Sequence, residues 1–493
     1  MPRSAARTHR KVTFAVLTVG VGAFALLQSL VNPALPAIQA VLNTSQTNVT
    51  WVLTAYLLSA SIFTPIVGRL GDMTGKKRMF VVALVALAVG SLVAALATTL
   101  PLMIVGRVVQ GVGGGVLPLA FGIIRDEFPS DEVGGAVGLI ASLTAVGAGL
   151  GIVLSGPIVA ALDYHWLFWI PLVMIALATL AAVFLVPESA VRTSGRINWS
   201  AALLMASWLV ALLVAVSEAP AWGWASARVL ALLGAGVVLG IVWVLVEKRA
   251  ATPLIDMTMM ANRAVWPVNL VALLFGVAMY GLLGFLPAFL QHPSALGYGF
   301  DASITMSGIM LLPQAALSFL VGLFGGRLAQ RFGSKRVLIA GTLIAFAAYL
   351  MLTFTHDHKW EIYVATSLSG IGLGLAFLSM AALIVHAVPA EQTGVASGMN
   401  ANIRTIGGSL GAAVMASVVT AHLAPSGLPT ESGYTNGFLL LAAAVLLSGV
   451  AGLLIPSVPR HVVGAHTEET AVPLLHAELA LVAGGTVFGD ESE

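Results

Sequence analysis

The sequence contains no cysteine, so disulfide frameworks, thiol nucleophiles and cysteine-ligated metals are excluded. Charge is scarce. Asp, Glu, Lys and Arg make up 9% of the 493 residues, against about 25% in soluble domains. A water-soluble fold of this length needs far more polar surface. Neither sign dominates: 23 Lys and Arg against 21 Asp and Glu leave a formal charge of +2. No basic field therefore points to nucleic acid. Catalytic motifs are missing too. No HExxH, GxSxG or GxxxxGK-S/T pattern occurs, so neither an enzyme nor a bound cofactor is expected. His356-x-His358 has no further ligand spacing around it, and no metal site is expected.

What is abundant is apolar: 58% of residues are hydrophobic, and 52 are glycine. Such a chain is an all-α polytopic membrane protein, with glycine serving close helix packing. A span needs about 20 apolar residues. Fourteen are expected, near 12–33, 50–68, 79–99, 101–124, 135–160, 166–186, 197–217, 228–246, 264–290, 303–325, 335–354, 361–385, 394–421 and 435–456. Arg3, Arg7, Arg10 and Lys11 precede the first run as in a signal peptide, but Asn32-Pro33-Ala34-Leu35-Pro36 follows it instead of a cleavage site. It reads as an uncleaved span. With the N-terminus inside, nineteen of the 23 basic residues fall on the cytoplasmic side, all but Arg107, Arg228, Lys359 and Arg404. Both termini are then cytoplasmic. Residues 457–493 hold six acids and one arginine and read as a mobile tail.

The turn after span two reads Gly68-Arg69-Leu70-Gly71-Asp72-Met73-Thr74-Gly75-Lys76-Lys77-Arg78. It recurs after span ten as Gly326-Arg327-Leu328-Ala329-Gln330-Arg331-Phe332-Gly333-Ser334-Lys335-Arg336, an offset of 258. Gly134, Gly138, Gly147 and Gly151 recur as Gly394, Gly398, Gly407 and Gly411 at an offset of 260. Both copies of the turn face the same side, which predicts parallel repeats. Residues 1–190 form one six-helix half, 191–250 two inserted helices, and 251–456 the other half.

Gly68 to Arg78, Arg107-Val108-Val109-Gln110-Gly111-Val112-Gly113-Gly114-Gly115, and Gly147 to Gly156-Pro157 resemble three signatures of the major facilitator superfamily. With fourteen spans the chain is similar to the 14-helix drug:proton antiporter branch. Two positions depart from it. Gln28 stands where that branch usually has a helix-one aspartate, and Ala160-Ala161 replace a Gly-Gly pair. The resemblance implies a secondary exporter of amphipathic small molecules, coupled to protons, monomeric among membrane lipids, in a bacterial inner membrane. An uncoupled facilitator, or a non-transporting receptor or lipid-handling protein, stays open on the same fold.

Site residues follow from it. Gly68, Asp72, Gly75, Lys76 and Arg78, with Arg125 and Asp126 of span four, form a cytoplasmic latch, against the plainer reading of loop charges left in water. Gly147, Gly151, Gly156 and Pro157 form a gate hinge, against ordinary small-residue packing. Gln28, Asn32, Tyr56, Arg107, Gln110, Asn400 and Arg404 are cavity candidates. An intramembrane arginine is costly and marks function by default. Alternatively, Arg107 is a structural hub tied to span one through Gln28 or Asn32. Trp51, Trp208 and Trp266 fit a cavity or an interfacial belt. No acid falls near the middle of a span. That predicts neutral or anionic cargo, and coupling at a cavity mouth through Asp126, Glu127 or His386.

Overall fold

The structure, a computed structural model, describes residues 3–44, 46–49, 51–189, 197–250, 253–389, 392–421 and 428–456. Arg192, Arg196 and the segment 457–493 lie outside the described residues. Among the described residues, fourteen long helices form the body: α1 (Arg3–Leu30), α2 (Trp51–Thr74), α3 (Lys76–Ala95), α4 (Leu100–Glu127), α5 (Ser130–Ala161), α6 (Trp166–Leu185) and α7 (Trp199–Trp222). Then come α8 (Ala227–Arg249), α9 (Trp266–Gln291), α10 (Ile304–Phe332), α11 (Ser334–Phe354), α12 (Lys359–Ala387), α13 (Thr393–Thr420) and α14 (Glu431–Leu453). Thirteen are long and apolar enough to cross a bilayer. The other, α5, has 32 residues and packs against α1, α10 and α12. At about 1.5 Å per residue it reaches beyond a ~30 Å hydrocarbon layer.

The helices arise from long runs of Leu, Ala, Val and Ile, which bury every backbone group in the helix itself. Breaks fall at glycine. Gly75 between α2 and α3 has φ +122°, and Gly333 between α10 and α11 has φ +84°. Both stand in a region that side chains avoid. The outward faces are apolar: Val237, Val238 and Ile241 of α8 are 59%, 60% and 56% exposed, as suits a face against lipid.

Most buried apolar residues fall into two clusters. One runs from Val16 to Val186 with Val385 added; the other runs from Ala201 to Ile455 and takes in Ile66 and Ile152. Helices of the first region meet the second along α5–α10, α5–α12, α2–α13 and α4–α13. The pair α7–α8 packs through α7 onto both α2 and α13.

Sequence patterning ends span two near 68, but α2 continues to Thr74. Asp72 is therefore helical and fully buried, as is Lys76 at the start of α3. This corrects the plainer reading of these charges as solvated loop residues: they pair with one another and with the facing helices.

Candidate transport pathway and its charged seal

The bundle end carrying the basic turns is closed by polar contacts between the two regions. The Asp72 carboxylate accepts from Val395 N at 3.1 Å and from Gly394 N, so it caps the start of α13. Four backbone donors at a helix start lack helical partners, and the dipole there favours an anion. Gly68 makes the approach possible: a Cβ there would lie 2.8 Å from Gly394 O. Lys76 Nζ sits 2.7 Å from Asp126 and 4.0 Å from Asp72. The Oδ1 atoms of both acids are buried without a hydrogen bond among the described residues. Arg125 donates to Val385 O and, at 2.8 Å, to Thr393 Oγ1, a second crossing.

Arg78 stands apart from this buried cluster. It is 68% exposed and pairs at 3.5 Å with Glu188, which follows α6. Ser189 donates to Asp126. A Cβ on Gly75 would lie 2.5 Å from the Glu188 carboxylate. The motif thus engages the segment after α6, which local sequence gave no reason to expect. In the second copy of the turn, Gln330 is exposed where Asp72 is buried.

Deeper in, Arg107 is 1% exposed. Its Nε donates to Val52 O at 2.8 Å and Nη1 to Gln110 Oε1 at 2.7 Å, while its guanidinium lies 4.6 Å from the centre of the Tyr56 ring. Gln110 in turn donates to Ser91 of α3 at 3.0 Å. Arg107 is therefore a hub, but toward α2 and α3. Gln28 of α1 joins one step out, donating to the Tyr56 hydroxyl, and Asn32 is exposed at the end of α1.

Arg404 lies on α13 with its guanidinium 4.7 Å from the centre of the Phe377 ring, hydrogen-bonded to Tyr280 of α9. Asn400 donates to Asn269 at 2.9 Å. Tyr280 of α9 lies near Tyr56 of α2, so the two arginine–tyrosine pairs approach one another from the two regions. Tyr280 and Phe377 were not singled out from sequence: an aromatic in an apolar run carries no local mark.

The glycines of α5 divide by contact. Cβ atoms on Gly147 and Gly151 would meet Ala25 and Ser29 of α1 at 2.5 and 2.0 Å. Ser29 donates to Gly147 O at 2.8 Å. The helix runs unbroken through Gly156, half-buried, and Pro157, exposed. Gly394 and Gly398 of α13 likewise face α2, while Gly407 and Gly411 lie against α9. Trp208 packs on Trp243 between α7 and α8, with ring centres 5.8 Å apart, and so belongs to the inserted pair.

At the opposite end, His292 Nε2 lies 2.9 Å from Tyr434 Oη, and burial pushes its imidazole below the usual range. His356, Asp357 and Glu431 bring potential ligand atoms within 4.8 Å of one another. His356 Nδ1 faces Leu352 O at 2.8 Å, and Nε2 faces Glu431 at 3.1 Å.

The family model described as Major Facilitator Superfamily matches residues 17–412 and again 268–489. The chain belongs to the major facilitator superfamily. It is a multi-pass membrane transporter, not an enzyme, and the resemblance read in Gly68–Arg78 and Arg107–Gly115 holds. Among its relatives is the tetracenomycin C resistance and export protein of Streptomyces glaucescens, 30% identical over 84% of this chain and 77% of that one. Another is the multidrug resistance protein Stp of Mycobacterium tuberculosis, 28% identical over 84% and 77%. The puromycin resistance protein of Streptomyces alboniger is 29% identical over 87% and 88%. The crystal structure of the human organic anion transporter MFSD10 superposes with a TM-score of 0.63 over 92% of this chain and 100% of that one, at 17% identity. This last likeness concerns the fold alone.

Proposed function

We propose that this superfamily member is a secondary active exporter of amphipathic small molecules, exchanging them for protons across a bacterial plasma membrane. Two parallel six-helix halves, 1–190 and 251–456, rock about a central pathway, with 191–250 as an inserted pair and the basic end in the cytoplasm. The relatives support export, since their names speak of resistance and export. The observation that carries the mechanism is the buried contact of Asp72 with the start of α13, joined through Lys76 to Asp126.

One ammonium shared by two carboxylates leaves room for one proton. Taking it up weakens the grip of Asp72 on the α13 backbone and favours parting of the seal. Releasing it restores the seal. Coupling then sits at the gate rather than mid-pathway, which fits Gln28 in place of a helix-one acid. The state observed has the basic end closed.

The test is flux of a fluorescent drug in proteoliposomes under imposed pH gradients. Transport that follows the gradient in native protein, and loses that dependence in Asp126→Asn, supports the reading. Flux indifferent to the gradient marks an uncoupled facilitator, and absence of flux across a drug panel marks a protein that does not transport.

A further inference from the structure

Between α4, α5, α12 and α13 lies a narrow recess lined by Phe121, Phe377, Ser397, Asn400 and Arg404 together with aliphatic residues. Arg404 is the single charged side chain lining it among the described residues, and no carboxylate reaches it. Two buried polar atoms there have no hydrogen-bond partner among the described residues: Arg404 Nε and Ser397 Oγ. An unmet buried donor is costly, more so on a cation. Native folds leave such groups open chiefly where something else completes them. Arg107 offers a contrast at the same atom, because its Nε donates to Val52 O, whereas Arg404 bonds Tyr280 but leaves its Nε open.

Ser397, Asn400 and Arg404 follow a spacing of three and four, so they share one face of α13. Seven residues separate the two open groups, about 10 Å along the helix. The backbone at Arg404 is fixed by α9, since a Cβ on Gly276 would lie 2.2 Å from Arg404 O. Phe377 holds one face of the guanidinium, leaving its edge for an anionic oxygen. The recess begins one turn beyond Thr393, directly above the seal. In the closed state it admits water-sized groups only, and parting of the seal opens it to the basic end.

We infer that this recess is the loading site for flat aromatic monoanions. A carboxylate binds at Arg404, and a second polar group about 10 Å away binds at Ser397. The inference rests on the exporter reading for its purpose but not for its test, which measures binding without transport.

Three probes serve: 2-naphthoate, its neutral amide, and 6-hydroxy-2-naphthoate, titrated calorimetrically into purified full-length protein. Native protein is expected to bind 2-naphthoate at least tenfold tighter than the amide. Arg404→Gln, with its melting temperature checked, should abolish that preference while leaving amide affinity unchanged; Arg404→Lys should keep part of it. Ser397→Ala should weaken 6-hydroxy-2-naphthoate severalfold and leave 2-naphthoate unaffected. Equal affinity for acid and amide in native protein, or an acid preference that survives Arg404→Gln, overturns the site. Failure of gradient-driven flux with the acid preference intact overturns the exporter reading alone.

Discussion

Arg107 and Arg404 are alike in sequence, each a basic residue inside an apolar run, yet their surroundings assign them different work. Arg107 is enclosed, with two directed hydrogen bonds and an aromatic face. Lysine keeps its charge but not its fork. Arg107→Lys should therefore cost about 1.5–3 kcal/mol, the worth of one charged hydrogen bond. Arg404→Lys, with an open Nε to begin with, should cost clearly less. Thermal unfolding in detergent compares the two; equal losses would remove the distinction between hub and binding group. The sequence marked both arginines as unusual, because a buried cation is expensive wherever it sits. It could not rank them. Val52, Tyr280 and Phe377 define their surroundings, and each is an ordinary residue in a membrane span.

At the scale of elements, helix contacts rest on glycine where backbones nearly touch. Gly147→Val would place its Cβ 2.5 Å from Ala25 Cβ on α1, an overpacking worth about 1–3 kcal/mol. Gly22, with nothing within 4 Å of a Cβ, should accept alanine with a gain of about 0.5–1 kcal/mol from helix propensity. A melting-temperature comparison checks both, and equal tolerance would refute close packing of α5 on α1. His292 adds a pH dependence. Its proton affinity is lower in the folded chain than in the unfolded one, because burial disfavours the charged form. Acidification below the usual histidine pKa of about 6.5 therefore favours unfolding, and stability is fully present above it. Melting temperature should fall as pH drops through that window, less steeply in His292→Gln. Matching slopes would contradict the assignment.

Helix number was readable from apolar runs and basic turns, since the bilayer demands length and the inside rule demands alternation. The end of α2 was not. A run of Arg, Asp, Thr and Gly reads as a loop in isolation. It becomes helix because the α13 start, 323 residues away, satisfies Asp72, while Asp126, 50 residues beyond Lys76, pairs with that lysine. The signature Gly68–Arg78 marked Asp72 and Lys76, but only their neighbours show why their burial is tolerated.

For the whole molecule, the central claim is that two halves rock, and that the buried contact of Asp72 with α13 holds the basic end shut. A two-state equilibrium of this kind shifts by the free energy of the contact that differs between the states. The native chain lacks cysteine, so spin labels can be placed without background. One pair, Thr74→Cys with Arg327→Cys, reports the basic end; another, Thr99→Cys with Thr355→Cys, reports the opposite end. All four positions are exposed. Distances from double electron–electron resonance in lipid should show native protein mainly in the state with the basic end closed. Adding Asp72→Asn should lengthen the first distance and shorten the second. Distances that both stay fixed, or both move the same way, would contradict the account.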